Sequence, residues 1–483
     1  MFEKFDGSGR PLRDVQKQAL EFIEQNIKTV DVIGINAPCG SGKSAIAKAI
    51  MDEFKDVVYI TANNVLVKQM QRFYPELNTV IGKRHYTCAQ NTELNCETAW
   101  SSPNHTPCGE CLYSQAKRQA LQFKQPTCYN AISYWYLQKD PLWKKPSVII
   151  VDEADKLMEI LMLVSGDRFG KKYKAPRCLD FFDVASWLKD KERLLTDLVI
   201  KDGSIAKLFE LTKVQRVLQA VLANPARYIH FYDPDTGDLV ISPIEPLKEL
   251  VQSILNCDKL ILLSATLYES DIKTLSDKPY KFIELDSPIP LQKRRVVLHE
   301  SYFPFNHETP AEVVAVWIKD ILKLYPDRNT LVHVTYRMAD QLKQYFKGAY
   351  VNTKDNKEDV LKAFKESGGL WLASGCAEGL DLDGHTCSLN IIPLLPRPNI
   401  EDPIIKRRLA QPGGQRNYDI GVLKTIQQQA GRSTRGEDDY STVVVGDRRL
   451  YDLVSRYEGD LPRSFKEQLQ EGRRCGLKTL SNL

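Results

Sequence analysis

The feature that most constrains the fold is a glycine-rich loop near the N-terminus. The loop, Ala37–Ser44, follows a short apolar run, Val32–Asn36, and precedes a helical pattern, Ala45–Phe54. A second apolar run, Val57–Ile60, comes next. Strand, glycine-rich loop, helix and strand in this order are typical of a parallel α/β sheet. The sequence therefore predicts that the chain begins with such a sheet.

The same loop predicts a phosphate-binding site. Backbone N–H groups of a glycine-rich turn and of the following helix N-terminus surround phosphate oxygens. Lys43 would bring a positive charge to the β- and γ-phosphates, and the Ser44 hydroxyl can ligate Mg²⁺. A glycine turn that merely precedes a helix is the alternative interpretation of the loop taken alone. The expected nucleotide contacts in the loop are Ala37, Gly40, Ser41, Gly42, Lys43 and Ser44.

An acidic pair follows another apolar run. Asp152 and Glu153 come directly after Pro146–Val151. At the carboxyl end of a sheet strand, Asp152 can hold Mg²⁺ through water, and Glu153 can orient or deprotonate an attacking water. Such a pair alone is usually part of a solvated loop. Together with Lys43, it predicts ATP hydrolysis.

A basic motif lies far downstream. Gln428 opens a predicted helical stretch that carries Arg432 and Arg435, three residues apart and therefore on one helical face. Guanidinium groups there can neutralise charge that develops on the γ-phosphate. Without a phosphate loop upstream, a basic helix face would be the default interpretation.

A second series of strand-like runs predicts a second α/β lobe. The runs are Thr330–Thr335, Leu370–Ala373, Ser388–Pro393 and Thr442–Val445. The proline-marked stretch Ser287–Phe305 is the expected boundary. Two segments would interrupt the first lobe, one rich in cysteine and one mainly helical. The expected divisions are 1–81, 129–156 and 258–290 for lobe 1, 82–128 for the cysteine-rich segment, 157–257 for the helical insertion, and 291–483 for lobe 2.

The composition excludes several classes of protein. Hydrophobic residues make up 43% and charged residues 27%, as in globular proteins, so a disordered or fibrous chain is excluded. The net charge of +4 is small, so any nucleic-acid surface must be a local groove. No apolar run approaches the ~18 residues of a membrane helix, and the first residues lack the apolar stretch of a signal peptide. We expect a soluble protein inside the cell, either cytoplasmic or nuclear.

The cysteines predict a metal site. Five of the 11 cysteines are clustered, and two of them form a Cys-x-x-Cys pair. In a large chain without an export signal, such a cluster indicates metal binding rather than disulfides. The five are Cys88, Cys96, Cys108, Cys111 and Cys128.

The order of these motifs resembles that of superfamily 2 helicases, specifically the iron–sulfur XPD/DinG group, over nearly the whole chain. Two positions depart from the group's pattern: Asp155 stands where its acidic motif usually has His, and Ala37 stands for Gly. The stretches that carry the resemblance are Arg13-x-x-Gln16, Ala37–Ser44, Thr61–Gln69, Asp152–Asp155, Ser264–Leu267, Glu378–Gly384, Leu395–Leu409, Gln428–Arg435 and Asp447–Arg449.

The resemblance implies an α/β fold with two RecA-like parallel-sheet lobes, with the cysteine-rich domain and a small helical arch-like insertion in the first. ATP would bind between the lobes. Gln16 is expected near adenine and Asp381 at the nucleotide, while Ser44 and Asp152 would hold Mg²⁺. The expected catalytic residues are Glu153 in the first lobe and Gln428, Arg432 and Arg435 in the second.

The resemblance also implies a metal centre and a path for nucleic acid. Cys88, Cys108, Cys111 and Cys128 match the ligands of a 4Fe–4S cluster. Their spacing equally allows structural zinc, and Cys96 or His105 could replace one ligand. Residues expected along the single-strand path, where they could stack bases or hold phosphates, are Thr61, Arg84, Tyr86 and Tyr336.

The expected function is that of an ATP-dependent DNA helicase that moves along single-stranded DNA. The resemblance implies 5′→3′ movement and a cluster domain that splits the duplex. We expect a monomer whose partners are single-stranded and forked DNA. Two alternatives stay open at this point. One is an ATP-driven translocase that remodels RNA–DNA hybrids or protein–DNA complexes, and the other is a non-enzymatic ATP-gated nucleic-acid-binding protein with a zinc module.

Overall fold

The computed structural model describes residues 11–100, 111–122, 125–177, 180–203, 205–299, 305–376, 382, 386–431, 433–434 and 438–480. The strands are β1 Val32–Asn36, β2 Val57–Thr61, β3 Asn78–Val80, β4 Thr127–Asn130, β5 Val148–Asp152, β6 Asp167–Phe169, β7 Tyr228–Tyr232, β8 Leu239–Pro243, β9 Lys259–Ser264, β10 Tyr280–Glu284, β11 Arg294–Leu298, β12 Thr330–His333, β13 Tyr350–Val351, β14 Leu370–Ala373, β15 Leu389–Ile392 and β16 Ser441–Val445.

Helices connect most of these strands, as parallel pairing requires. The α-helices are α1 Asp14–Asn26, α2 Lys43–Glu53, α3 Asn64–Phe73, α4 Cys96–Trp100, α5 Leu112–Leu121, α6 Ala131–Leu137, α7 Leu157–Ser165, α8 Phe181–Asp202, α9 Ile205–Ala223, α10 Lys248–Ile254, α11 Glu269–Leu275, α12 Ala311–Leu324, α13 Tyr336–Leu342, α14 Lys357–Ser367, α15 Pro403–Leu409, α16 Gly414–Ala430, α17 Arg449–Arg456 and α18 Arg463–Leu480. None of the helices in the described ranges has the length and apolar character that crossing a membrane requires.

The first lobe is built on a parallel seven-stranded sheet in the order β10-β1-β9-β5-β2-β4-β3. Successive residues of its inner strands face two different cores. In β5, Val148 and Ile150 belong to the core that contains α1 and α2, whereas Ile149 and Val151 belong to the core that contains α6 and α7. Both faces are therefore apolar and covered, which is why these strands appear in the sequence as continuous apolar runs.

The second lobe contains a six-stranded sheet in the order β11-β16-β15-β12-β14-β13, with every neighbouring pair parallel. The predicted α/β class with two parallel lobes is therefore confirmed. The predicted strands 32–36 and 370–373 coincide with β1 and β14. Sequence analysis missed β3, β4, β10, β11 and β13, which lie toward the edges of the two sheets.

The predicted helical insertion has its own core. Helices α8 and α9 pack on an antiparallel sheet in the order β6-β8-β7, around buried residues such as Trp187, Val214 and Ile241. Strands β7 and β8 are an antiparallel pair within this otherwise mainly helical segment. Leu157 and Val251, near the ends of the segment, pack instead in the first-lobe core. The exact bounds of the four segments stay a prediction.

Candidate active site

The carboxyl ends of three neighbouring strands bring the predicted nucleotide-binding residues together. The glycine-rich loop follows β1, Asp152 ends β5, and Ser264 ends β9, and these strands are adjacent in the sheet. A cleft of about 290 Å³ opens at this edge. Its lining includes Arg13, Gly40, Lys43, Ser44, Tyr59, Asp152, Glu153 and, from the second lobe, Gln428 and Gly431.

The loop requires glycine at two positions. Gly40 and Gly42 have φ values of 82° and 81°, in the left-handed region that side chains with a Cβ rarely adopt. A Cβ on Gly42 would also lie 2.2 Å from Nε2 of Gln16. Ser41 Oγ is buried and has no hydrogen-bond partner among the described residues. The loop therefore retains a spare donor, as suits a site for an anion.

Gln16 lies behind the phosphate loop. Its side chain is buried against Gly42, and its Oε1 accepts a hydrogen bond of 2.9 Å from the backbone N–H of Arg13. Arg13 itself lines the cleft, and its guanidinium donates to the Gly40 carbonyl at 2.7 Å. The expected contact of Gln16 with adenine stays a prediction, and Arg13 is the member of this pair that reaches the cleft.

The Asp152 carboxylate is fixed by two donors. Oδ1 accepts the backbone N–H of Glu153 at 3.0 Å, and Oδ2 accepts the Tyr59 hydroxyl at 2.8 Å. Burial, together with the charge of Glu153, raises the pKa of Asp152 to about 6, and Lys43 opposes that shift. Sequence analysis missed Tyr59, although a phenol within the otherwise aliphatic run Val57–Ile60 was a usable signal.

Glu153 has an unusual backbone conformation for a residue with a side chain. Its φ of 52° and ψ of 48° lie in the left-handed region, which costs about 1–3 kcal/mol. The conformation places Oε1 3.4 Å from Lys43 Nζ and Oε2 3.3 Å from the Ser264 hydroxyl. The backbone strain is thus located where the carboxylate meets the cation of the phosphate loop.

Asp155 connects the two lobes. Its carboxylate accepts hydrogen bonds from Ser264 and Thr266, the latter at 2.7 Å, and from Gln428 Nε2 at 3.3 Å. Gln428 also reaches Thr266 Oγ1 at 3.2 Å. Burial and the charge of Glu153 raise the pKa of Asp155 above its usual range. The residue that departs from the group's usual His is therefore the centre of a polar network between the lobes.

Helix α16 extends this interface. Gln427 donates to the Ala265 carbonyl at 2.8 Å, and Lys424 binds both carboxylate oxygens of Asp271 at 2.7 Å. Gln427 and Gln428 lie three and four residues after Lys424, so all three project from one side of the helix. This side of α16 rests on the segment that follows β9 of the first lobe.

Replacing Asp155 with Asn should weaken the hydrogen-bond network between the lobes without abolishing nucleotide binding. The amide –NH2 would face hydroxyl and amide donors that the carboxylate accepts, and leaving such groups unpaired costs about 1–3 kcal/mol. We expect ATP turnover to fall about tenfold while nucleotide affinity stays within a factor of about two. Steady-state kinetics and nucleotide titration measure both quantities.

Asp277→Asn is the matched control, because Asp277 is an exposed first-lobe carboxylate that pairs with Lys248 away from the cleft. Equal turnover by the wild type and Asp155→Asn would show that the network does not contribute to hydrolysis.

Several predicted site residues lie outside the described ranges. They are Arg432, Arg435, Asp381 and Cys108. Their expected roles stay predictions. Gln428 is described and lines the cleft, and its expected catalytic role also stays a prediction.

Three of the clustered cysteines lie in one small unit. Cys88, Cys96 and Cys111 are all buried. A backbone bridge between Thr87 and Asn95 joins the residues next to Cys88 and Cys96. Cys111 immediately precedes α5, and its sulfur accepts the Ser114 N–H at 3.3 Å. Edge-to-face packing of Tyr86 on Tyr113 holds the two parts of the unit together.

Cys128 lies in a strand of the first-lobe sheet rather than in the small unit that contains Cys88, Cys96 and Cys111. It lies within β4, 0% exposed, in the core formed with Tyr59 and Val57. Burial, and then the charge of Asp152, raises the pKa of its thiol well above the usual value. The predicted ligand set of Cys88, Cys108, Cys111 and Cys128 therefore stays a prediction. Among the described residues, no three His, Cys, Asp or Glu side chains are grouped to hold a metal ion.

The residues expected along a nucleic-acid path have varied environments. Thr61 is buried, and its hydroxyl donates to the Asn63 carbonyl at 3.0 Å. Its side chain is therefore engaged in a hydrogen bond to the backbone. The Tyr86 hydroxyl accepts the Ile81 N–H at 3.1 Å. Arg84 is exposed, and Tyr336 is 38% exposed at the start of α13. Arg84 and Tyr336 are therefore the two that present side chains to solvent.

Two sequence profiles match the chain. One, described as "Helicase C-terminal domain", matches residues 311–468, and the other, described as "Type III restriction enzyme, res subunit", matches residues 10–182. The first falls on the second lobe and the second on the lobe that carries the phosphate loop.

Two curated relatives are helicases by name. The chain is 26% identical over 245 residues to the probable ATP-dependent helicase MJ0942 of Methanocaldococcus jannaschii, covering 44% of this chain and 37% of that protein. It is 26% identical over 158 residues to the ATP-dependent DNA helicase YoaA of Escherichia coli, covering 30% of this chain and 25% of YoaA. The match thus spans well under half of the length of each of these relatives.

Solved structures share the fold over most of the chain. A structure titled XPD helicase has a TM-score of 0.63 at 17% identity, covering 93% of this chain and 98% of that one. Xpd4 of S. tokodaii has a TM-score of 0.61 at 18% identity, covering 94% and 99%. The chain therefore has the fold of the XPD structures, with two parallel α/β lobes and a cleft between them. Its second lobe matches the profile of a helicase C-terminal domain.

Proposed function

We propose that this protein is an ATP-dependent DNA helicase that moves 5′→3′ along a single strand and uses its cysteine-rich segment to separate the duplex. The observation that carries the proposal is the contact of Asp155 with Gln428, which joins the acidic segment of one lobe to α16 of the other. The name of the E. coli relative supports DNA as the substrate. The direction of movement rests on family resemblance.

The chain's own residues can bind ATP and activate water. Lys43 and the loop N–H groups would bind the β- and γ-phosphates, while Ser44 and Asp152 would hold Mg²⁺. Bound Mg²⁺ would neutralise part of the phosphate charge. Glu153 would accept a proton from the attacking water, since its carboxylate lies beside Lys43 at the mouth of the loop.

Movement would follow from the contacts between the lobes. Gln428 belongs to α16, and Asp155 follows the strand that ends in Asp152. A change in charge at the γ-phosphate would therefore affect the second lobe through the direct contact of Asp155 with Gln428. Repeated closing and opening of the cleft would move the lobes relative to each other along the strand.

A metal centre in the cysteine-rich segment is part of this proposal, with one ligand different from the set first expected. We propose Cys88, Cys96, Cys108 and Cys111 as thiolate ligands, with Cys96 in the place first expected for Cys128. Three of these are buried thiols of the cysteine-rich segment. Four thiolates can hold a 4Fe–4S cluster, with structural zinc as the alternative. The centre would link parts of the segment that lie apart in sequence.

The test measures ATP hydrolysis with and without single-stranded DNA, and strand separation on duplexes with a 5′ or a 3′ overhang. We expect hydrolysis stimulated by single-stranded DNA and unwinding of the 5′-overhang duplex, with a blunt duplex as the control. Stimulated hydrolysis without unwinding of either duplex would favour the translocase alternative. An absence of hydrolysis under all conditions would contradict the enzymatic proposal.

A further inference from the structure

The Tyr59 hydroxyl makes a buried contact that core packing alone does not explain. Tyr59 is 1% exposed and Asp152 is 8% exposed, and they are joined by the 2.8 Å hydrogen bond to Oδ2. The Tyr59 ring packs in the core between the sheet and helices α1 and α2. A phenylalanine ring would fill the same space in the core. Packing therefore accounts for the ring of Tyr59 but not for its hydroxyl.

Strand register explains how the contact forms. Tyr59 in β2 pairs with Ile150 in the neighbouring parallel strand β5. Side chains two residues apart in a strand share a face, so Asp152 follows Ile150 on the face toward Tyr59. A long aromatic side chain can reach such a diagonal neighbour. The hydroxyl thus meets the carboxylate at the carboxyl end of the sheet.

The bond fixes the orientation of the Asp152 carboxylate. The terminal torsion of Asp is intrinsically broad, so a single donor leaves the carboxylate plane poorly defined. Here the Glu153 N–H holds Oδ1 and Tyr59 holds Oδ2, so both oxygens are restrained. A buried hydroxyl without a partner would be costly, which favours keeping this pair together.

We infer that Tyr59 is a positioning residue that orients Asp152 toward the divalent cation bound with the nucleotide. The inference rests on the proposed function, because that function assigns the cation to Asp152 and Ser44. Groups that hydrogen-bond to a metal-ligating side chain typically contribute 10–100-fold in metal affinity. Tyr59 would act through Asp152, whose carboxylate it orients.

The test is Tyr59→Phe in the full chain, which removes one oxygen and keeps the ring. The probe is Mn²⁺ in the presence of ADP, with the free ion followed by electron paramagnetic resonance. We expect the Mn²⁺ dissociation constant to rise at least about tenfold. The Mg²⁺ concentration that half-saturates ATP turnover should rise in parallel. ADP affinity in EDTA should stay within a factor of about two of the wild type.

Tyr74→Phe is the matched control. The Tyr74 hydroxyl also donates to an aspartate, Asp52 Oδ1, at 2.9 Å, and its ring packs against the same core at the far end of α2. This variant should retain wild-type Mn²⁺ affinity. Thermal unfolding of both variants reports whether the core is intact.

Two results would overturn the inference. One is wild-type Mn²⁺ affinity in Tyr59→Phe, and the other is an equal loss of ADP affinity in EDTA, which would make Tyr59 a support of the whole loop. Failure of the proposed function has a different signature. In that case the wild type would bind Mn²⁺ with ADP, and Tyr59→Phe would weaken that binding, yet neither protein would hydrolyse ATP.

Discussion

Replacing Glu153 with Gln is expected to reduce ATP turnover by about 10²–10⁴-fold, the usual contribution of a positioned general base. The amide has nearly the shape of the carboxylate, so it can keep the contact with the Ser264 hydroxyl at Oε2. It cannot accept a proton from water at neutral pH. Nucleotide binding should therefore survive, because Lys43 and the phosphate loop are unchanged. Single-turnover hydrolysis and nucleotide titration measure the two quantities separately.

Lys43→Ala is the informative comparison for this variant. Removing the cation at the β- and γ-phosphates should abolish turnover and also weaken nucleotide binding, whereas Glu153→Gln should affect turnover alone. If Glu153→Gln lost nucleotide affinity as severely as turnover, Glu153 would have a binding or structural role. Its contact with Lys43 Nζ at 3.4 Å makes this comparison necessary.

The second large effect is expected at the cysteine-rich segment. Cys96→Ser should lose or degrade the proposed metal centre, because one of its four proposed thiolate ligands is removed. Without the metal, the segment between β3 and β4 should loosen, because metal binding contributes to the folding of such a segment. We expect duplex unwinding to be abolished. ATP binding and some hydrolysis should remain, since Lys43 begins α2 and Asp152 ends β5, and neither belongs to the cysteine-rich segment.

Cys128→Ala is the control that separates the two ligand sets. Cys128 lies inside β4, so its variant should retain the metal content of the wild type. Iron, sulfide and zinc analysis, together with visible absorption after anaerobic purification, provides the readout. Iron loss from Cys128→Ala with full retention in Cys96→Ser would restore the first ligand set. A colourless wild type with one stoichiometric zinc would contradict the iron–sulfur assignment.

Sequence alone identified the elements whose signals are local. The apolar runs that become β1, β5 and β14 are buried on both faces, so they stand out without any knowledge of their neighbours. The phosphate loop could be predicted because its backbone conformation requires glycine, as the φ of 82° at Gly40 shows. The edge strand β3 was missed because it has only 3 residues, and it is recognised as a strand only by its pairing within the sheet.

The tertiary structure decided which distant residues meet. Chain order could not show that Cys128 lies inside the first-lobe sheet, because membership of β4 depends on pairing with β2 and β3. The bond from Tyr59 to Asp152 and the contact of Asp155 with Gln428 likewise join residues that lie 93 and 273 positions apart. The sequence determined which chemical groups are available and which strands are buried. Strand register and lobe packing determined which of those groups share an environment, because they set distances that spacing along the chain does not contain.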